Sequence, residues 1–210
     1  MRLIFMPVLA VMLTACQSAY YGAAEQVGYH KRDILVDRVE SSREAQQEAE
    51  EQFQSALEQL SLLVNFDGGD LEDIYEDMLD EYEDAEEAAD DVRSRIKAIE
   101  DVAEALFEEW QDEIQEYSNK RLKADSQHKL RETQKRYDGM IAALHRSEAK
   151  MDPVLDALKD NVLYLKHNLN ARAVASLKVE FKSIENDIDV LIQEMRKAIA
   201  SSDAFIASMQ

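Results

Sequence analysis

A seven-residue repeat of apolar side chains between residues 71 and 117 constrains the fold of this chain more than any other feature. Two columns of the repeat run in parallel. The first is Leu71, Met78, Ala85, Val92, Ile99 and Leu106, and the second is Tyr75, Tyr82, Ala89, Ile96, Ala103, Trp110 and Tyr117. A sustained repeat of this kind is typical of a helix that supercoils with a partner helix. The pattern predicts one helix of about 70 Å.

Other stretches alternate apolar spacings of three and four residues, the pattern of a single buried helix face. The first begins at Ile34, ends near Asn65, and contains Leu35, Val39, Ala49, Phe53, Ala56, Leu60 and Leu63. Later apolar positions are Leu130, Tyr137, Leu144 and Met151, followed by Leu155, Leu158, Val162, Leu165 and Leu169. The last stretch is Leu177, Phe181, Ile184, Ile188, Leu191, Met195, Ala198, Ser202 and Phe205. No part of the sequence has the pattern of a strand.

Capping residues predict where these helices begin. The stretch from Asn65 to Asp70 contains two glycines that can end one helix, and Asp70 is placed to cap the next. Asp152 followed by Pro153 predicts a second boundary or a kink, with Asp152 as the cap. Asn170 is the predicted cap of the last helix.

Residues 118–129 leave two alternatives open. Their only apolar side chains are Leu122 and Ala124, and no glycine or proline forces a turn. The chain either reverses near Ser118 and Asn119 or continues as one very long helix with a local change of winding. We favour a turn or sharp bend.

Composition supports an all-α fold. Only five Gly and two Pro interrupt 210 residues, and the chain is rich in helix-forming side chains. We predict an elongated antiparallel helical bundle or coiled coil of three to four long helices, as a single domain over residues 30–210. The formal net charge of −20 argues against a nucleic-acid partner and against simple adsorption onto an anionic lipid surface.

The N-terminus has the features of a bacterial lipoprotein signal. Arg2 is followed by an uncharged apolar run from Leu3 to Leu13, which is too short to span a bilayer. The run ends in Leu13-Thr14-Ala15-Cys16, which matches the lipobox that lipoprotein-processing enzymes read. We predict a cleaved signal peptide over residues 1–15, lipid on Cys16, and a tether over residues 16–29. The alternatives are a plain secretory signal or a poor transmembrane helix.

The predicted location follows from these residues. Cys16 is the only cysteine, so no disulfide is possible within the chain. Lipid on Cys16 would hold the protein stably in a membrane. An aspartate at position 17 would signal retention. Gln17 therefore resembles a sorting signal for the outer membrane. We expect the protein on the periplasmic face of the outer membrane, although the sequence does not settle inner against outer membrane.

Candidate metal sites are weak. The acidic run from Asp67 to Asp91 offers carboxylates, and residues 65–70 superficially resemble a calcium loop. Gly69 stands where a ligand belongs, however, and Asp70 where the sharp-turn glycine belongs. The four histidines have no metal-ligand spacing; they are His30, His128, His145 and His167. We therefore expect no metal and no cofactor, and a solvated helix face and a turn at these positions.

One basic segment is the candidate contact site for a partner or a lipid. It comprises Lys120, Arg121, Lys123, Lys129, Arg131, Lys135 and Arg136. These cations could contact lipid headgroups, lipopolysaccharide phosphates or an acidic partner. Alternatively, the segment folds back on the acidic helix and relieves its self-repulsion, which we consider the simpler interpretation. Apolar stripes leave no obvious pocket for catalysis, so we expect that the protein is not an enzyme.

Several stretches are similar to a known family. They are Tyr20-Tyr21-Gly22, His30-Lys31-Arg32-Asp33, the stretch from Val64 to Leu71, the stretch from Val102 to Phe107, and Leu165-Lys166-His167-Asn168-Leu169-Asn170. With the lipobox, they resemble the domain of unknown function 2959 family of proteobacterial coiled-coil lipoproteins. The resemblance covers nearly the whole mature chain. It implies an envelope location and no activity, so no functional residue is carried over.

The sequence predicts a non-enzymatic lipoprotein that acts as a structural or adaptor rod in the periplasm, with self-association or an envelope protein as partner. The alternative is a membrane-binding or membrane-shaping module, similar to BAR domains, that presents its basic segment to lipid. Binding of the anchor-free protein to anionic vesicles would separate the two.

Overall fold

The computed structural model describes residues 31–66, 68 and 70–210, which form four long helices and contain no strand. Helix α1 is Lys31–Val64, α2 is Leu71–Glu116, α3 is Lys120–Lys166 and α4 is Ala171–Met209. The predicted all-α fold is confirmed, with four long helices. The predicted signal peptide, Cys16 and the tether lie outside the described residues.

The helices form a bundle in which each packs against two neighbours, in the ring order α1, α2, α3, α4. Short connections make consecutive helices antiparallel. Lys31 Nζ lies 2.8 Å from Glu109 Oε2, and Arg43 Nη1 lies 3.2 Å from Asp203 Oδ1. The starts of α1 and α3 and the ends of α2 and α4 therefore share one end of the bundle. We name this the proximal end, and the opposite one the distal end.

The predicted apolar stripes form the core. Every predicted stripe residue of α1 is fully buried, and in α4 all are buried except the half-buried Phe181. In α2 both heptad columns are buried through the middle of the helix, from Met78 to Ala103. The columns lose burial at their C-terminal ends, where Trp110 is half-buried and Tyr117 is exposed. The described core lies wholly between Ile34 and Met209.

Capping side chains define three helix starts. Asp70 accepts a hydrogen bond from the backbone N–H of Glu72 at 3.0 Å, as predicted. Asn170 accepts from the N–H groups of Arg172 and Ala173, also as predicted. Asn119 caps α3 in the same way. Each cap satisfies backbone donors that have no partner within the helix. The favoured turn near residues 118 and 119 is thus confirmed, and α3 runs without a break from Lys120.

The predicted boundary at Asp152 and Pro153 is wrong, because α3 passes through both residues. A proline inside a helix leaves the carbonyl four residues earlier without its donor. Pro153 faces solvent, where water can hydrate that carbonyl, while Met151 and Val154 are buried on the opposite side. Burial of the continuous apolar stripe outweighs the loss of one hydrogen bond.

The connection after α3 falls where His167-Asn168-Leu169-Asn170 predicts a break in the apolar stripe. Leu169 lies in the connection between α3 and α4 and is 40% exposed, whereas Leu165 is fully buried. Asn168 donates from its side chain to the carbonyl of Tyr164, at 2.8 Å, and so helps to end α3. The connection therefore begins before the last residue of the apolar pattern.

A polar layer crosses the core. Gln46 and Ser147 are fully buried, and Gln46 Nε2 donates to Ser147 Oγ at 2.9 Å. Ser42 and Ser202 are fully buried at nearly the same level, next to the Arg43–Asp203 ion pair. Gln46 Oε1 and both serine hydroxyls find no hydrogen-bond partner among the described residues. Unpaired buried polar atoms are destabilising, so this layer reduces the stability of the bundle.

Candidate functional site

The α2–α3 hairpin projects beyond the other two helices at the proximal end. Lys31, the first residue of α1, is level with Glu109, yet α2 continues to Glu116, about 10 Å further. Trp110 Nε1 donates to Ser126 Oγ at 2.9 Å and ties the two helices of the hairpin together. We name residues 110–126 the tip.

The predicted basic segment runs from the tip along α3. Six of its seven cations are exposed, and Lys123 is half-exposed. Lys123 Nζ donates to Gln115 Oε1 at 3.0 Å, and Lys129 pairs with Asp125 of its own helix. Within the described part of the chain, no ion pair joins this segment to a carboxylate of α2. The segment lies beside the acidic helix without direct pairing, and its cations remain accessible.

A cleft of about 410 Å³ lies next to the tip, beyond the end of α4. All four helices contribute to its wall: α1 through Arg32, α2 through Trp110, α4 through Ser208 and Met209, and α3 through His128, Lys129, Glu132, Thr133 and Arg136.

The wall of this cleft is predominantly cationic. Arg32, Lys129 and Arg136 face a single carboxylate, that of Glu132. Neither Arg32 nor Arg136 forms an ion pair with another described residue. An anion that entered the cleft would therefore find two guanidinium groups available for hydrogen bonding.

Two large apolar side chains are exposed at the tip. Tyr117 is 43% exposed and Leu122 is 48% exposed, and they flank Lys120 and Arg121 in the sequence. An aromatic and an aliphatic side chain beside cations is the combination found at membrane–water interfaces.

A second groove, between α1 and α2, is acidic. Its volume is about 350 Å³, and it is lined by Ala45, Glu48, Gln52, Asp84, Glu87, Ala88 and Asp91. Among the described residues, no three or more acidic, histidine or cysteine side chains are arranged to hold a metal ion. In the turn from residue 65 to 70, the Asp70 carboxylate already caps α2. Asp67 and Gly69 lie outside the described residues.

The three described histidines lie at separate positions, two along α3 and one at its C-cap. His128 lines the cleft, His167 ends α3, and His30 lies outside the described residues. His145 bridges two helices, with Nδ1 2.8 Å from Glu148 Oε2 and Nε2 2.9 Å from Glu100 Oε1. The hydrogen bond to Glu148 is the main cause that raises the pKa of His145, with a contribution from Glu100.

Two tyrosines are held neutral by their surroundings. Burial raises the pKa of Tyr137 to about 12, and burial together with a 2.6 Å hydrogen bond to Glu86 raises the pKa of Tyr82 to about 12. Tyr137 makes edge-on ring contacts with Phe107 and Phe205. Tyr137 serves packing toward the proximal end, whereas Tyr82 lies in the distal half of α2.

Searches for related proteins identify a family. A family model for proteins of unknown function, DUF2959, matches residues 20–209. The chain belongs to the DUF2959 family. The resemblance seen in the sequence is thereby confirmed. No curated protein and no solved structure matches the chain. Within the described residues of this family member, no helix combines the length and apolar character needed to cross a bilayer.

The sequence predicts only two of the nine residues that line the cleft as contact residues. Lys129 and Arg136 were predicted as contact residues, but Arg32 and Trp110 were not. Arg32 is far from the basic segment in sequence, and Trp110 continues an apolar heptad column. Only the packing of the four helices into one bundle brings these side chains together. The one signal available in advance was that the chain's sole tryptophan lies near the C-terminal end of the heptad columns.

Proposed function

We propose that this family member is a lipid-anchored, non-enzymatic rod of the cell envelope that spaces or docks other components. The support is the coincidence of two features at the proximal end. Helix α1 begins there, only 15 residues after the lipobox cysteine Cys16, and the tip projects there as well. Fifteen residues span at most about 50 Å when fully extended, so an anchor on Cys16 keeps that end near the membrane.

The length of the bundle supports a spacing or docking role. Helix α3 alone has 47 residues, which correspond to about 70 Å along the bundle axis. A rod held at its proximal end would present its distal end to the periplasm. The outer membrane is the proposed site, from Gln17, and the partner is an envelope protein or a second copy of the chain.

Cross-linking in living cells, followed by affinity purification and mass spectrometry, tests this role. The account expects a reproducible protein partner, or cross-links between copies, with cross-linked sites toward the distal end. Cross-links confined to the proximal end would contradict it. Fatty-acid labelling tests the anchor separately: the wild type should incorporate label, and Cys16→Ala should incorporate none.

A second candidate, membrane binding by the basic segment, is favoured by the exposed tip. Tyr117 and Leu122 lie beside Lys120, Arg121 and Lys123, which suits an end-on contact with lipid rather than contact along a curved face. The chain from residue 17 onward, which has no cysteine, should bind vesicles that contain phosphatidylglycerol.

Reversing the three tip cations to glutamate should abolish this binding in a sedimentation assay. A matched variant reverses Lys159, Lys178 and Lys182, three exposed lysines that lie toward the distal end. If both triple variants lose binding equally, net charge alone controls the interaction and the tip has no special role.

A further inference from the structure

The cleft beside the tip is lined by cationic side chains that a spacing role does not require. From its wall we infer that the cleft binds the phosphate group of an anionic phospholipid headgroup and so seats the proximal end on the membrane surface. The inference rests on the proposed placement of the proximal end at the membrane, and it assigns a specific site to that end.

The cations lie in the wall of a single cleft. Lys129, Glu132, Thr133 and Arg136 are spaced three, four and seven residues apart, so they share one face of α3. Arg32 approaches from α1 and completes the wall. Guanidinium groups present a planar fork of donors that matches phosphate oxygens, and two such groups from different helices can hold a phosphate between them.

The size and the apolar part of the wall suit a headgroup. A volume of about 410 Å³ falls within the range of small-molecule sites, roughly 300–1,000 Å³. The Trp110 ring and Met209 supply apolar surface for a glycerol backbone. The Trp110 N–H is not available to donate to the phosphate, because it already donates to Ser126 Oγ.

Thirteen of the acids that give the net charge of −20 lie far from the cleft. Residues 70–91 contain 13 acids and no lysine or arginine, and they form the distal half of α2. The distance from residue 91 to Trp110 is about 28 Å along the helix. That is several Debye lengths at physiological ionic strength, so repulsion from this run is largely screened.

Acids of α2 that are closer to the tip weaken the local positive potential, but they are not part of the cleft wall. None of these carboxylates lines the cleft; they are Glu108, Glu109, Asp112, Glu113 and Glu116. Glu109 is paired with Lys31 at 2.8 Å. The only carboxylate in the wall is that of Glu132, against Arg32, Arg136 and the Lys129 ammonium, which is paired with Asp125.

The test uses the chain from residue 17 onward, which retains the whole described core, and the fluorescence of Trp110, the only tryptophan. Vesicles of phosphatidylethanolamine with phosphatidylglycerol should shift the emission, whereas phosphatidylcholine vesicles should not. The double variant Arg32→Gln and Arg136→Gln should bind the anionic vesicles about tenfold more weakly or worse. Both side chains are exposed, and circular dichroism confirms that the variant folds.

The matched control removes the same charge elsewhere. Lys178→Gln with Lys182→Gln alters two exposed lysines of α4 toward the distal end and should change binding by no more than about twofold. Equal weakening by both double variants would overturn the proposal, as would an unchanged affinity of the cleft variant. In the second case, loss of binding in the tip variant would assign the membrane contact to the tip.

A titration with inorganic phosphate distinguishes a lipid headgroup from free phosphate as the ligand of the cleft. If phosphate shifts the Trp110 emission and anionic vesicles do not, the cleft takes a free phosphate and the lipid assignment is overturned. If neither does, the cleft proposal fails altogether. These experiments use protein without an anchor, so such a failure leaves the lipidation of Cys16 and the rod role untouched.

Discussion

At the scale of single residues, the polar layer around Gln46 is the least expected feature of the core. Gln46 uses its amide N–H to reach Ser147 but leaves its carbonyl oxygen buried without a partner. An apolar side chain would pack more favourably at this level. Buried polar residues can instead fix which helices lie side by side, at the expense of stability.

Gln46→Met should therefore stabilise the bundle. Methionine keeps the unbranched shape of glutamine and removes the unpaired oxygen, while the Ser147 hydroxyl still donates to the Leu144 carbonyl at 2.7 Å. We expect the free energy of unfolding, measured by urea denaturation, to rise by about 1 kcal/mol. The exposed neighbour gives the control, Gln47→Met, with a change within about 0.5 kcal/mol. A clear loss of stability in Gln46→Met would show that the polar layer is fully satisfied.

His145 should make stability depend on pH. Its pKa is raised in the folded state, mainly by Glu148 and also by Glu100, so the protonated ring stabilises the fold. That contribution is complete below the unfolded pKa of about 6.5 and disappears as the pH rises through the folded pKa. The unfolding midpoint should fall across this window by more in the wild type than in His145→Gln. Identical pH profiles would refute the assignment, and the NMR titration of the His145 ring measures the raised pKa directly.

At the scale of helices, Pro153 shows how packing decides a boundary. The local sequence favours a helix start, but α3 continues because its buried face continues on both sides of the proline. A proline at the first helical position would lose no hydrogen bond, whereas one in the interior leaves the Ala149 carbonyl without a helical donor.

Pro153→Ala distinguishes these two situations. In a continuous α3, alanine restores the missing backbone hydrogen bond, and the free energy of unfolding should rise by about 2 kcal/mol. At a true helix start the same change would be neutral or slightly destabilising. Lys150→Ala, one turn earlier on the exposed face, is the control and should have little effect.

The helices were predictable from sequence, whereas the cleft was only partly so. Heptads, stripes and the caps Asp70 and Asn170 are local patterns, and each reports the face or the end of a single helix. The cleft depends on where α4 ends relative to α3 and on which side chain of α1 meets them, as Arg32 does. Such relations between helices far apart in sequence leave no local periodicity. The turn at Asn119 was only partly predictable, because the sequence has a capping residue there but no glycine or proline.

At the scale of the whole molecule, charge and apolar exposure are distributed unequally along the rod. Residues 70–91 carry 13 acids without a lysine or arginine, while the proximal end exposes cations, Tyr117 and Leu122. The start of α1 at the same end connects this asymmetry to the proposed anchor on Cys16. We therefore propose an orientation of the rod, with the tip at the membrane and the acidic half of α2 away from it.

Quenching of tryptophan fluorescence by brominated lipids tests this orientation most directly. The lipidated full-length protein would be placed in vesicles, once with its native Trp110 and once as the double variant Trp110→Phe and Leu62→Trp. Leu62 is 61% exposed and lies near the distal end of α1. The account predicts strong quenching of Trp110 and little quenching of the tryptophan at position 62. Equal quenching, or stronger quenching at position 62, would contradict it.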